Sequence, residues 1–315
     1  MDKHIGQKAL IIGAIAGTLP DLDVVLSPLF DDAAFMTVHR SVSHSIGLAV
    51  VLSIGLGLLC HWIWKKKYST SSWIFAFFVA IFSHVLLDWC TTYGTRILSP
   101  FNDHSFSLNI IHVFEPIYTV LLLIGVGWKI FSKSSRNFPI ALGLVMSTIY
   151  LFWAGTSKML VCRHAEEQIK AHDIYYSDLI VTPTPMNTVL WNVIVRTEDG
   201  YYFANHSLFD KEQHIEFQFV KSEFKALKKI KDHNELKYYL QYCDGFPLVK
   251  IEDDLIKIYA VKFGPINFSG EPDFIMPLCV TQVGEPEFWI DNDTKGYGPV
   301  KSGATIWKRI VQSGN

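Results

Sequence analysis

Residues Trp73 to Cys90 read WIFAFFVAIFSHVLLDWC, and this stretch decides how the chain is understood. Apart from Ser83, His84 and Asp88 it is apolar. As a helix rising ~1.5 Å per residue it would nearly match a hydrocarbon core about 30 Å thick. His84 and Asp88 stand at i and i+4, so a helix places imidazole and carboxylate on one face. Ionisable groups at membrane depth are costly and are kept for function.

Working outward, similar runs lie on both sides: Ile46–Trp64, Pro116–Phe131 and Phe138–Gly155. The start, MDKHIGQKALIIGAIAGTLPDLD, runs into Asp21 and Asp23 rather than a small-residue cleavage site. It reads as a short membrane or re-entrant helix, not a cleaved signal. Charge density then changes. Residues 1–160 hold 19 charged side chains and the remaining 155 residues hold 39. The expected architecture is an α-helical membrane bundle of about five transmembrane or re-entrant helices over residues 1–160. A small soluble α+β domain with an antiparallel sheet is expected over 161–315.

Lys3 and Lys8, then Lys65, Lys66 and Lys67, then Lys129, Lys133 and Arg136 mark alternate loops. Positive loops face the cytoplasm, so the chain is expected to cross a membrane several times, with the N-terminus inside and the C-terminal domain outside. Trp62, Trp64, Trp73, Trp128 and Trp153 stand near run ends, as interfacial aromatics do. The net charge is −2 with no basic tract, so no nucleic-acid partner is expected. Five cysteines without a CxxC spacing offer neither a disulfide framework nor a thiolate metal site.

The polar breaks share one level. Asp21 and Asp23 end the first helix, His39 and His44 introduce the second, His84 and Asp88 leave the third, and Glu115 enters the fourth. Imidazoles and carboxylates converging from several helices suit a divalent cation. The metal ligands expected are Asp23, His39, His44, His84, Asp88 and Glu115. Asp21 is read as a general base, and Arg40 and Arg96 as binders of an anionic substrate group. Asp21 and Asp23 are expected in an extended turn; of His39 and His44, one is expected in the entering loop and the other on the first helical turn, with Ser41 or Ser43 as N-cap. Structural alternatives stand beside each: a His–Asp pair that ties helices, a solvated helix end, an interfacial polar cap.

The segments PDLD at 20–23, HRSVSHS at 39–45, HVLLDWCTTYGTRILSPF at 84–101 and Glu115-Pro116 resemble the inner-membrane metal-dependent hydrolases of the YdjM type. The resemblance covers roughly residues 1–155, and PTPMNTVLWNVIVRTEDGYYFANHSLFD at 183–210 is similar to an extension carried by some members. It implies a distant kinship with zinc-dependent phospholipase C and single-strand nucleases, in which an HxxxD helix helps to hold zinc. His84–Asp88 matches that motif, and Asp23, His39 and His44 match the earlier ligands.

In the C-terminal half, Val189–Arg196 and Tyr201–Leu208 flank Glu198-Asp199-Gly200, a hairpin signal. Ile215–Val220 and Ile256–Phe263 read as strands, Ser222–Tyr242 as one helix, and Thr182–Asn187 as a stiff connector. The function expected is a membrane-bound hydrolase using metal-activated water on a phosphoester or other ester at the outer face. Its cofactor would be Zn²⁺, with Mn²⁺ or Mg²⁺ as alternatives, and its partners the lipid bilayer and a lipid or phosphoester substrate. The competing reading is a non-enzymatic membrane protein, a transporter or a metal-stabilised envelope scaffold.

Overall fold

The computed structural model describes residues 6–64, 69–132, 137–211, 214–267, 271–282, 285–291 and 305–311. Lys3, Lys65, Lys66, Lys67, Lys133 and Arg136, which carry the expected orientation, lie outside the described residues. Two compact units emerge: residues 1–108 with 234–242, and 109–233 with 243–315.

The first unit begins with α1 (Gly6–Thr18), a 3₁₀ segment Pro20–Leu29, and a short α2 (Asp32–Val38). Asp31 caps α2 by accepting from the Ala34 amide at 2.7 Å. Two long apolar helices follow, α3 (Ile46–Ile63) and α4 (Thr70–Cys90). They pack through small residues, as membrane helices do without a hydrophobic drive between them. At Gly57 a Cβ would come within 2.5 Å of the Ile74 side chain. Beyond α4, the chain turns at Gly94 (φ 93°) and comes back through a Thr95–Phe106 bridge.

The second unit contains α5 (Pro116–Phe131) and α6 (Phe138–Ala171). These two touch where Gly125 and Gly143 face each other; a Cβ on either would lie 3.1 Å from the other's Cα. α6 runs sixteen residues past Gly155 and straight through the composition boundary near position 160. The reason is a continuing apolar stripe: Val161, Ala165 and Ile169, one turn apart, are buried against Trp191, Val193 and Val195.

Two four-stranded antiparallel sheets follow. β1 (Asp178–Pro183), β2 (Leu190–Arg196), β3 (Gly200–Ser207) and β4 (Gln218–Lys221) make the first. The expected hairpin is β2–β3, with Arg196 opposite Tyr201. Gly200 is required there because a Cβ would overlap the Val220 carbonyl. The stretch Thr182–Asn187 is not a free connector. It ends β1 and turns into β2, with Asn187 Oδ1 accepting from the Leu190 amide at 2.8 Å. Nor is Ser222–Tyr242 one helix. A 3₁₀ turn at Phe224–Lys229 is separated from α7 (Asn234–Cys243), because Ile230 is buried and its amide closes on Leu227. β5 (Pro247–Glu252), β6 (Leu255–Ala260), β7 (Leu278–Thr281) and β8 (Phe288–Ile290) form the second sheet.

Among the described residues, four helical segments are long and apolar enough to cross a membrane: Ile11–Leu29, Ile46–Ile63, Thr70–Cys90 and Phe138–Ala171. Pro116–Phe131 is apolar but shorter.

Candidate metal centre

Three segments of the first unit deliver the polar residues, and each is shaped locally. Pro20 opens the 3₁₀ segment where its missing N–H costs nothing, and Asp21 and Asp23 fall in the first turn. The expected extended turn is therefore corrected. Both acids stand in the first turn of a helical segment rather than past the end of one, a favourable electrostatic position.

The second segment breaks between α2 and α3. His39 ends α2, Arg40 has φ 59°, and Val42–His44 makes a single 3₁₀ turn. A left-handed arginine is a costly conformation held by its surroundings. Here the Arg40 amide points at Asp23 Oδ2 at 3.3 Å and its carbonyl accepts from the Arg96 amide at 3.0 Å. Ser45, not Ser41 or Ser43, caps α3, accepting from the Leu48 amide. That leaves Ser43 free for the site. The third segment is the last two turns of α4, carrying His84 and Asp88 on one face.

Four side chains converge. His44 Nε2 lies 3.1 Å from Asp88 Oδ2, 3.2 Å from Asp21 Oδ1 and 3.3 Å from His84 Nε2. His84 Nε2 lies 3.4 Å from both Asp21 Oδ1 and Asp88 Oδ2. All four donor atoms fall within 4.8 Å of one another. Asp88 Oδ2 is buried, and its polar neighbours are the ring nitrogens of His44 and His84. Two neutral ring nitrogens in contact share at most one proton between them, so a lone pair faces the same point as this carboxylate oxygen. This group could hold a metal ion. His44 is fully buried, whereas the Asp21 side chain is 49 % exposed, so the group is closed on the His44 side and open at Asp21.

A second layer orients the first. Ser43 Oγ donates to Asp23 Oδ2 at 2.6 Å, so its oxygen accepts from His44 Nδ1–H at 2.9 Å. That places a proton on Nδ1 and, in the neutral ring, leaves the Nε2 lone pair for a metal, the usual arrangement behind a metal-binding histidine. Asp23 also holds His39 Nδ1 at 2.8 Å. Arg40 Nη2 stands 3.2 Å from Asp88 Oδ1, Nη1 donates to Thr91 Oγ1, and the guanidinium lies 4.9 Å over the Tyr93 ring. Tyr93 Oη in turn donates to the Met36 carbonyl. Burial opposes a proton on His44, but the carboxylates of Asp21 and Asp88 outweigh it and raise the pKa above its ordinary value.

The structure thus brings together His44, His84, Asp88 and Asp21. Of the other expected ligands, Asp23 and His39 form a pair behind His44 and are not in the converging group. Glu115 lies in the second unit at the start of α5, where its Oε1 accepts from Tyr150 Oη at 3.0 Å, and it too is outside the group. Burial pushes its carboxyl above the ordinary range. Arg96 Nη2 donates to Gln241 Oε1 at 3.2 Å. Ser43 and Tyr93 were the parts that sequence reasoning missed in these roles. The only signal was that both sit inside polar segments already suspected.

A model of the YdjM inner membrane protein family matches residues 2–161. No curated protein and no solved structure matches the chain.

Proposed function

The chain belongs to the YdjM inner membrane protein family, and from that premise we propose that this membrane protein is a metal-dependent hydrolase of phosphoesters or related esters. The observation that carries the reading is the four-donor group. A donor set of imidazole and carboxylate favours Zn²⁺, with Mn²⁺ or Mg²⁺ as alternatives.

His44, His84 and Asp88 would hold the ion, with Asp21 at the mouth. When bound, such an ion supplies Lewis-acid polarisation and lowers the pKa of a water. The chain's own residues do the rest. Asp21, half-exposed, takes a proton from the nucleophilic water. Ser43 and Asp23 keep His44 in one tautomer. Arg40 neutralises the outer oxygen of Asp88 and leaves the inner one directed at the group. Arg96 binds the anionic part of the substrate. The apolar segments that carry Asp21, His84 and Asp88 support a lipid as that substrate.

The same reading puts the site and residues 161–315 on the outer face, with the N-terminus inside. An impermeant maleimide applied to intact cells should label Glu198→Cys, an exposed hairpin position. Labelling only after the inner membrane is permeabilised would reverse the orientation. For the activity, purified protein is analysed for bound metal and screened on lipid and nucleotide phosphoesters, beside Asp88→Asn. Absence of hydrolysis with any divalent metal would move the reading to a metal-stabilised envelope scaffold.

A further inference from the structure

α7 comes from the C-terminal half, outside the matched residues 2–161, yet residues 234–242 belong to the same compact unit as the donor group. Its hold there is specific. Thr37 Oγ1 donates to the Tyr238 carbonyl at 2.8 Å, joining α2 to α7. The Tyr242 ring meets Tyr93 edge-on at 5.6 Å. Arg96 Nη2 reaches Gln241 Oε1 at 3.2 Å. Leu236 and Tyr239, one turn apart, are fully buried, and Cys243 a turn further is too. That buried edge fixes the rotation of α7 and leaves Gln241 on the exposed side, beside Arg96.

α7 therefore holds this unit in two ways. One passes from Tyr242 to Tyr93, to the Arg40 guanidinium 4.9 Å over that ring, and to Asp88 Oδ1 at 3.2 Å. The other is the amide hold on Arg96. An amide oxygen restricts a guanidinium without cancelling its charge, and a planar guanidinium fork suits a phosphate. Restricting it beforehand reduces the ordering cost at binding.

We propose that α7 is a specificity element of this site. Gln241 presents Arg96 to the phosphate group of the substrate, and Tyr242 is a positioning residue that acts on Asp88 through Tyr93 and Arg40. The inference rests on the reading of the four-donor group as a metal centre. It adds that the C-terminal extension, and not the family-matched part alone, selects the substrate.

The test uses the full chain in lipid nanodiscs loaded with Co²⁺, whose visible absorption reports on ligand geometry, and inorganic phosphate as the probe. Gln241→Ala should keep the Co²⁺ stoichiometry and weaken phosphate binding by about five- to tenfold, the effect of one positioning hydrogen bond. Tyr242→Ala should weaken phosphate and also shift the Co²⁺ bands before phosphate is added. Tyr242→Phe, which keeps the ring, should restore both. Short-chain phosphatidic acid and glycerol phosphate are then set in competition with phosphate. Displacement by either, lost in Gln241→Ala, supports the proposal and tells a lipid headgroup from a soluble ester. Displacement by neither overturns it. Variants that bind Co²⁺ and phosphate as the wild type does overturn it while leaving the metal centre standing. Should Tyr242→Ala fail to fold, the exposed Gln241→Ala still decides. Wild-type protein that takes up no Co²⁺, or Asp88→Asn that takes up as much, overturns both readings.

Discussion

Asp88, buried in the first unit, and Asp210, half-buried in the second, are both carboxylates beside histidine and arginine, and they end in opposite states. Asp88 gives Oδ1 to Arg40 at 3.2 Å and turns Oδ2 toward His44 and His84. Asp210 gives both oxygens to Arg309, at 2.9 and 3.1 Å, while His206 Nδ1 stands 3.4 Å away. A carboxylate clamped by a bidentate arginine has its charge spent. One held by a single oxygen keeps a charged oxygen for another purpose. The histidines follow the same division. In the first unit His44 and His84 share a focus with two carboxylates. In the second, His164 pairs with His206 and His172 with His214, ring to ring at 4.7 and 5.0 Å, and neither pair belongs to a converging donor group among the described residues.

The largest effect expected on this contrast is from Asp88→Asn. An amide cannot supply the negative charge that holds a divalent ion and tunes its water. Hydrolysis and bound metal should both fall to background while the helices persist, which circular dichroism and metal analysis would check. A collapse of thermal stability with metal content intact would instead make Asp88 a structural partner of Arg40.

Next comes pH. The His44 pKa is raised in the folded, metal-free protein. Its stabilising contribution is complete below the unfolded value of about 6.5 and is lost as pH rises through the higher folded value. Thermal melts of metal-free protein should therefore drop across that interval, and Zn²⁺, which displaces the proton, should flatten the curve. Zinc affinity itself should rise with pH by up to about tenfold per unit while one proton is displaced. His44→Gln should abolish the drop. Should His206→Gln abolish it as well, the assignment to the first unit fails.

A smaller change is expected from Ser43→Ala. Breaking the relay from Asp23 to His44 should cost about 10-fold in metal affinity, as outer-layer substitutions do, measured by competition with a chelator. An unchanged affinity would mean that burial alone sets the His44 tautomer. Smallest of all, for the site, is Asp210→Asn. It should leave metal content unchanged and cost stability by about 1–3 kcal/mol through the weakened clamp on Arg309. Metal lost from this variant would erase the distinction between the two units.

The membrane half was readable because polarity is conspicuous against an apolar background. His84, Asp88, His44 and Asp21 stood out for that reason, and α4 in the structure carries its pair at the expected i, i+4 spacing. The strand half was less readable. The turn at Glu198-Asp199-Gly200 marked β2 and β3, but β7 and β8 are short, and β1 and β5 pass between an exposed and a buried end without a period-two pattern. The end of α6 was missed for a related reason. Charged residues enter after Lys158, yet a buried stripe continues through Ile169. Composition describes the whole circumference of a helix, whereas packing concerns one face.

Residue identity and spacing alone determined that apolar helices carry imidazoles and carboxylates near their ends, because the cost of charge in hydrocarbon makes such groups stand out. Tertiary structure decided which of them share a focus. Asp21 and Asp23 are two residues apart in one turn, yet Asp21 faces His44 and His84 while Asp23 stands behind, on Ser43 and His39. The φ of 59° at Arg40 and the 3₁₀ turn that follows set that choice. Likewise α7, about 150 residues beyond Tyr93 in sequence, meets it only through folding. Donor atoms must meet within a few tenths of an ångström, and that precision comes from packed backbone turns, not from spacing along the chain.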